Sequence, residues 1–243
     1  MRRGTPGGAR FAVIPLKDAN PTERFPVVTV LLIALNIAVF LYQLSLGAGP
    51  RSESFVAAFA LIPSRLLQHG IPAGQVPAVA TVFTSMFLHG GPMHVGGNML
   101  YLWIFGNNVE DAMGRVRFIV FYLLCGAVAS LSHAVLNAGS PVPMIGASGA
   151  VSGVLGAYLL LYPRARVLTL FSLGFFFRLI EVPALAVLGL WFLLQFANAV
   201  LAPGAGGVAW VAHVGGFLAG LALIGPFKRR SVPFGGRRRT FTP

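Results

Sequence analysis

Charged residues, acidic residues and cysteine are all scarce in this sequence. Only 10% of the residues are charged, whereas 56% are hydrophobic; a soluble domain typically carries about a quarter charged residues. This imbalance excludes an ordinary soluble domain and indicates an integral membrane protein. The single cysteine, Cys125, lies inside an apolar run, so a disulfide framework is excluded as well.

The excess of basic over acidic residues gives a net charge of +12, which by itself is compatible with a nucleic-acid partner. The basic residues, however, lie in terminal and loop segments beside apolar runs. Anionic lipid headgroups and membrane topology explain that placement better. We therefore expect the lipid bilayer, and not nucleic acid, as the partner.

Apolar runs predict a bundle of six transmembrane helices. The runs, of which the second is short, occupy residues 25–46, 93–105, 116–136, 148–162, 182–201 and 208–227. Residues 47–92 are too broken for a span and predict a large interfacial loop after helix 1, and the phenylalanine-rich run at 164–181 is expected on or partly within the membrane. The predicted fold class is an all-α membrane protein. Its core at 25–227 lies between a tail at 1–24, whose prolines and glycines argue against stable structure, and a basic tail at 228–243.

The distribution of Lys and Arg predicts the orientation of the six spans. If the spans alternate sides, sixteen of the eighteen basic residues fall on one side, and only Arg51 and Arg65 fall on the other. The side rich in positive charge is cytoplasmic, so both termini are predicted to be cytoplasmic. Ser148, at the start of the fourth span, and His213, early in the sixth, then both lie near the outer surface of the membrane.

Residues 146–158 open an apolar helix with a serine that is flanked by glycines. Gly149, Gly153 and Gly156 recur every three or four residues, so they share one helical face and allow neighbouring helices to approach closely. Ser148 falls in the first turn, where unpaired N–H groups and the positive end of the helix dipole favour negative charge. The stretch by itself is compatible with a nucleophile and equally with close packing behind a helix-capping serine.

Two further polar clusters lie inside predicted spans, where polar side chains are costly and mark candidate functional sites. His213 is followed by Gly216 and Gly220, a small-residue pair that can bring the sixth span against the glycine face of the fourth. His94 and Asn98 are four residues apart and share one face at the start of the second span.

These residue types fit nucleophilic catalysis. A serine hydroxyl becomes an effective nucleophile when a base removes its proton, and a histidine does this near neutral pH. A tetrahedral oxyanion needs preorganised donors, each worth on the order of 3 to 4 kcal/mol. His94, Asn98 and the Ser148 N–H are candidates for these donors.

At residues 83–223 the chain resembles the rhomboid family of intramembrane serine proteases. Four motifs carry the resemblance in order: His89, His94 and Asn98; Phe105–Asp111; Gly146–Gly149; and Ala212–Gly220. The resemblance implies a six-span core with cytoplasmic termini and a catalytic dyad of Ser148 and His213, with no cofactor. It also implies that His94, Asn98 and the Ser148 N–H bind the oxyanion.

The same resemblance implies structural roles for several other residues, namely His89, Glu110, Gly146, Gly149, Gly216 and Gly220. His89 is expected to hold the loop after the first span, and Glu110 the turn after the second. Some rhomboids carry an aromatic residue one turn after the serine, which packs on the catalytic imidazole. Here that position is Ser152, so the ring requires another support.

The six carboxylates narrow the alternatives. None lies in the fourth or sixth span, which disfavours a Ser-His-Asp triad and an intramembrane aspartyl protease. No His-Glu-x-x-His motif is present for a zinc protease, and His89 with His94 lacks a third ligand, so no metal is expected. A transporter or channel would need polar residues along a continuous path and inverted repeats. Here the polar groups lie at one depth and no repeat is evident, which disfavours this alternative.

We therefore predict a serine endopeptidase that cleaves transmembrane segments of other membrane proteins near their outer ends, and the resemblance implies the plasma (inner) membrane as its location. The alternative is a rhomboid-like pseudoprotease that binds or escorts membrane proteins. The sequence leaves the substrate and the oligomeric state open.

Overall fold

The computed structural model describes residues 11–67, 76–173, 176–202 and 208–236. Residues 1–10 and 237–243 of the two predicted tails therefore lie outside the described residues. The helices are α1 (Val27–Ser45), α2 (Pro50–Phe59), α3 (Pro63–Leu67), α4 (Thr81–Thr84), α5 (Pro92–Tyr101), α6 (Asn107–Met113), α7 (Arg115–Leu136), α8 (Ser148–Leu161), α9 (Ala184–Leu201) and α10 (Trp210–Phe227). The strands are β1 (Phe11–Asp18), β2 (Arg166–Leu173) and β3 (Phe176–Pro183).

Helices occupy the six apolar segments of the sequence. Four of them, α1, α7, α9 and α10, are long and apolar enough to cross a membrane, so the chain is a mostly helical, multi-pass membrane protein. The other two are shorter: α8 has 14 residues, and the 10-residue α5 continues into a π-helical turn at Leu102–Gly106. Between α1 and α5, the described residues form α2, α3 and α4 with short 3-10 turns on either side of α4.

A three-stranded antiparallel sheet shows that the all-α prediction was wrong. β1 pairs with β2 and β2 with β3, so the predicted N-terminal tail contains a strand, and the phenylalanine-rich run at 164–181 forms a hairpin. The glycines of the tail precede residue 10, and Pro15 is tolerated because β1 is an edge strand with a register shift between Pro15 and Lys17. The partner strand lies far along the chain, where local patterning does not reveal it.

The helix α8 lies at the centre of the bundle, against α7 and α10. Glycines make this contact close. A β carbon on Gly216 would overlap the carbonyl of Gly149, and one on Gly220 would overlap the carbonyl of Gly153. The two backbones therefore touch directly along the faces whose small residues were identified in the sequence. This contact sets the separation between the first turns of α8 and α10.

A buried carboxylate joins the sheet to the end of α8 that is distant from Ser148. The Tyr158 hydroxyl donates to Asp18 at 2.6 Å, and the Asn108 amide donates to the same oxygen at 2.9 Å. The Asn20 amide donates to the Tyr158 hydroxyl at 2.9 Å. Burial raises the pKa of Asp18 to about 6, although the hydrogen bond from Tyr158 opposes the rise.

This pKa predicts that Asp18 contributes less to stability as the pH rises from about 4 to about 6. The folded state keeps the Asp18 proton up to about pH 6, whereas an unfolded aspartate releases it near pH 4. The folded state binds more protons at this group in this window, so its contribution to the free energy of unfolding falls by up to about 3 kcal/mol. Thermal unfolding of the wild type and of Asp18→Asn in detergent measures the effect as the difference between the two proteins, because other titrating groups are the same in both. The stability of the wild type relative to Asp18→Asn should fall across this range, and a constant difference would contradict the assignment.

Candidate active site

Ser148 is the first residue of α8, and a glycine turn delivers the chain to it. Gly146 has a φ of +124°, a backbone conformation that favours glycine. A β carbon at this position would also lie 2.7 Å from His94 Nε2 and 3.7 Å from Ser148 Oγ. The Gly146 N–H donates to the Ser85 carbonyl at 2.9 Å. The turn therefore brings both Ser148 and His94 close to Gly146, where there is no side chain to separate them.

The His213 ring lies against the Ser148 hydroxyl. His213 is in the first turn of α10, and its Nε2 is 2.8 Å from Ser148 Oγ. This is the distance at which an imidazole nitrogen accepts a hydroxyl proton. The close contact of α8 and α10 explains why two residues 65 positions apart meet with this geometry.

Three residues that the sequence reasoning missed surround the His213 ring. Gln195 Oε1 lies 2.8 Å from His213 Nδ1. The Trp191 ring is 6.0 Å from the imidazole with an interplanar angle of 31°, and the Trp210 ring is 6.1 Å away and perpendicular. Ser152 does not take part, since its hydroxyl donates to the Ser148 carbonyl at 2.6 Å. An amide inside an apolar span is a costly feature, and this feature of the sequence could have identified Gln195.

Donors from α5 face the same space as Ser148. His94 Nδ1 accepts a hydrogen bond from the Gly90 N–H at 3.3 Å, so the neutral ring carries its proton on Nε2, the nitrogen that lies against Gly146. Asn98 is buried, and among the described residues its side-chain nitrogen has no hydrogen-bond partner. Both residues line a cavity of about 880 Å³ together with Ser148 and His213. An oxyanion formed at Ser148 can accept hydrogen bonds from these donors and from the Ser148 N–H.

A protein-family model described as "Rhomboid domain" matches residues 77–230, which include Ser148, His213, His94 and Asn98. The chain belongs to the rhomboid family. The resemblance identified from four short motifs is thereby confirmed over most of the helical core.

This rhomboid is similar to several curated family members. It is 31% identical over 198 residues to "Rhomboid protease GluP" of Bacillus subtilis, an alignment that covers 82% of this chain and 35% of that protein. It is 30% identical over 217 residues to "Rhomboid protein 1, mitochondrial" of Saccharomyces cerevisiae, with coverages of 86% and 55%. It is 33% identical over 156 residues to "RHOMBOID-like protein 1" of Arabidopsis thaliana, with coverages of 56% and 39%. This chain therefore spans between about a third and just over half of the length of these relatives.

Two residues with an expected structural role make contacts at a distance from the Ser148 hydroxyl. The buried His89 ring packs edge-on against His94 at 5.1 Å, while its backbone N–H donates to Gln43 of α1 at 3.0 Å. Burial lowers the pKa of His89 to about 4, so the ring is neutral at physiological pH. Glu110 accepts hydrogen bonds from the Val28 N–H at 3.0 Å and the Thr29 N–H at 2.8 Å. From α6 it thereby caps the start of α1.

Metal binding finds no support in the described part of the chain. No group of three or more His, Cys, Asp or Glu side chains there lies close enough together to hold a metal ion. His89 and His94 contact each other through their rings, and the described residues supply them with no third ligand. The chemistry open to this site is that of the serine hydroxyl, the imidazole and the surrounding N–H donors.

Proposed function

We propose that this rhomboid is an intramembrane serine endopeptidase that uses Ser148 and His213 as a catalytic dyad. The observation that carries the proposal is the 2.8 Å contact between Ser148 Oγ and His213 Nε2 inside a cavity large enough for an extended peptide. The family includes a member named as a protease, GluP, which supports the same activity here. A pseudoprotease that only binds membrane proteins has no need of this contact.

In the proposed reaction, Ser148 Oγ attacks the carbonyl carbon of the scissile peptide bond while His213 Nε2 takes the hydroxyl proton. The resulting oxyanion accepts hydrogen bonds from the Ser148 N–H, Asn98 and His94. His213 then gives its proton to the leaving amine, and an acyl-enzyme remains on Ser148. Water, deprotonated by the same ring, hydrolyses this ester. The reaction requires no cofactor.

The position of Ser148 within the bundle fits cleavage inside the membrane. We propose six spans formed by α1, α5 with its π-helical turn, α7, α8, α9 and α10, with 25–227 as the core between two tails. The 14 residues of α8 cover about 21 Å, whereas the hydrocarbon layer is about 30 Å thick. A helix that ends at the cytoplasmic surface therefore begins below the outer surface, which puts Ser148 at a depth where a substrate helix passes.

The distribution of basic residues supports an orientation with both termini in the cytoplasm. Sixteen of the eighteen Lys and Arg residues fall on the same side as the termini under the six-span arrangement. We propose the plasma (inner) membrane as the location. In this orientation Ser148, His213 and Asn98 all lie toward the outer surface, so the proposed substrates are transmembrane proteins that are cut near their outer ends.

The loop before α8 offers an edge for an unwound substrate. Met144 exchanges both backbone hydrogen bonds with Leu61, at 2.7 and 3.2 Å. Its neighbours Pro143 and Ile145 therefore direct their backbone groups to the opposite side of this extended segment, and both line the cavity. An extended substrate can pair with this side by strand addition. A helical substrate cannot, because its backbone groups bond one another.

Cleavage of two matched substrates in liposomes tests the proposal. One single-pass substrate carries two glycines near the outer end of its span, and the other has a leucine-only span. Each glycine weakens a helix by about 1 kcal/mol, so we expect the glycine-containing substrate to be cleaved at least about tenfold faster. Ser148→Ala should cleave neither. Equal cleavage of both by the wild type contradicts substrate unwinding, and binding of substrates without any cleavage favours the pseudoprotease.

A further inference from the structure

A neutral amide occupies the position next to the His213 ring that a carboxylate has in a serine-protease triad. Gln195 lies on α9 with 8% of its surface exposed, and its Oε1 is 2.8 Å from His213 Nδ1. An amide oxygen only accepts hydrogen bonds, so the neutral ring must carry its proton on Nδ1. That tautomer leaves a lone pair on Nε2, the atom that faces Ser148 Oγ.

No carboxylate is available for this role. None of the six acidic residues lies on α8, α9 or α10. The two that are buried, Asp18 and Glu110, have partners elsewhere: Asp18 bonds Tyr158 and Asn108, and Glu110 caps α1.

The same helix supports the ring in a second way. Trp191 lies one turn before Gln195 on α9, so both side chains emerge from one face of that helix. The Trp191 ring is tilted 31° from the imidazole plane at 6.0 Å. Most of the remaining surface of α9 carries exposed apolar side chains, such as Leu193 and Leu194. Apart from Asn198, whose amide donates to Leu194 of its own helix, Gln195 is the polar side chain of α9, and it is buried and directed at the ring.

We propose that Gln195 is the positioning residue for His213, which it holds in the Nδ1–H tautomer and in the orientation that directs Nε2 at Ser148. This inference rests on the proposed protease function. Because the amide is neutral, it fixes the tautomer without adding the negative charge that a triad carboxylate supplies to the protonated ring.

Kinetics of three variants test the role. Gln195→Leu should lower kcat by about 10- to 100-fold with little change in KM, since the substrate still binds but the base is misaligned. Asn198→Leu is the matched control, because Asn198 lies on the same helix and its amide bonds only its own helix, at Leu194. Gln195→Glu should retain activity but move the acid limb of the kcat–pH profile to higher pH by about one unit, since a carboxylate favours the protonated ring. A side chain at this position that did not contact His213 Nδ1 would not move this limb.

Other titratable groups face the same ring and set the reference for this profile. His94 of α5 and His133 of α7 line the cavity with His213, and both are present in the wild type and in every Gln195 variant. The shift is therefore read as the difference between Gln195→Glu and the wild type, measured in the same liposomes.

A measurement of the tautomer separates this inference from the proposed function. In ¹⁵N-histidine-labelled protein, the His213 signals are assigned by their loss in His213→Ala, and we expect Nδ1 protonated and Nε2 unprotonated in the wild type. Gln195→Leu should give a mixture of both tautomers. The inference would be overturned if Gln195→Leu had the kcat, the pH profile and the His213 tautomer of the wild type while Ser148→Ala remained inactive. A wild type without protease activity overturns the function instead, and the tautomer still reports on Gln195. If Gln195→Leu does not fold, Gln195→Glu carries the same test.

Discussion

Replacing His213 with alanine is expected to lower the rate of substrate cleavage by at least about 10⁴-fold. Without the imidazole at 2.8 Å, the described residues hold no other side chain hydrogen-bonded to Ser148 Oγ that could take its proton at neutral pH. The oxyanion donors His94 and Asn98 remain in the variant, so any residual activity reflects their contribution and substrate binding alone. The measurement is the initial rate of cleavage of a single-pass substrate in liposomes.

Two comparisons make the His213 result specific. His133→Ala is the control, because His133 lines the same cavity but has no place in the proposed reaction, and we expect its activity to stay within a few-fold of the wild type. The double variant Ser148→Ala with His213→Ala should be no less active than either single variant, since residues that act as a unit are not additive. If the losses of the two single variants multiplied in the double variant, or if His213→Ala retained substantial cleavage, the two residues would not act as a dyad.

The second large effect is expected from Gly220→Val. Any side chain at this position overlaps the Gly153 carbonyl, so α10 must move away from α8 or rotate. We expect a loss of at least about 3 kcal/mol in the free energy of unfolding. Cleavage should fall by more than about 100-fold even in the folded fraction, because a shift of roughly 1 Å between Ser148 and His213 disrupts a reacting geometry.

Gly225→Val provides the matched control for Gly220→Val. Gly225 lies on the same helix, and a β carbon there has no neighbour within 4 Å among the described residues. The two variants therefore add the same side chain to α10, in one case against α8 and in the other into open space. Thermal unfolding in detergent and cleavage rates measure both. Equal effects of the two substitutions would mean that close contact between α8 and α10 does not determine the stability of the bundle.

Hydropathy and motif spacing predicted much of the helical core. The third apolar run, expected at 116–136, corresponds to α7 at Arg115–Leu136, because a lipid-facing helix must be apolar along its whole length. The glycine periodicity also predicted the contact between α8 and α10. These features are local in sequence, or depend on one residue type at a fixed spacing. They can therefore be predicted without knowledge of the fold.

The sheet and the support of the His213 ring could not be predicted in the same way. β1 pairs with β2, which follows only after α1 to α8 along the chain. No local pattern in Phe11–Asp18 specifies that partner. Gln195 belongs to no recognised motif and meets His213 only because α9 packs beside α10. Ser152 indicated that the ring lacked its usual aromatic neighbour, but the identity of the replacement depended on the packing of a third helix.

Active-site labelling with a serine-reactive fluorophosphonate, mapped by mass spectrometry, tests most directly whether His213 activates Ser148. The reagent reacts with a serine whose hydroxyl is deprotonated by a neighbouring base. We predict a single adduct on Ser148 in the wild type and in His133→Ala, and no adduct in Ser148→Ala or His213→Ala. An adduct that persists in folded Ser148→Ala, or undiminished labelling of Ser148 in His213→Ala, would contradict the account.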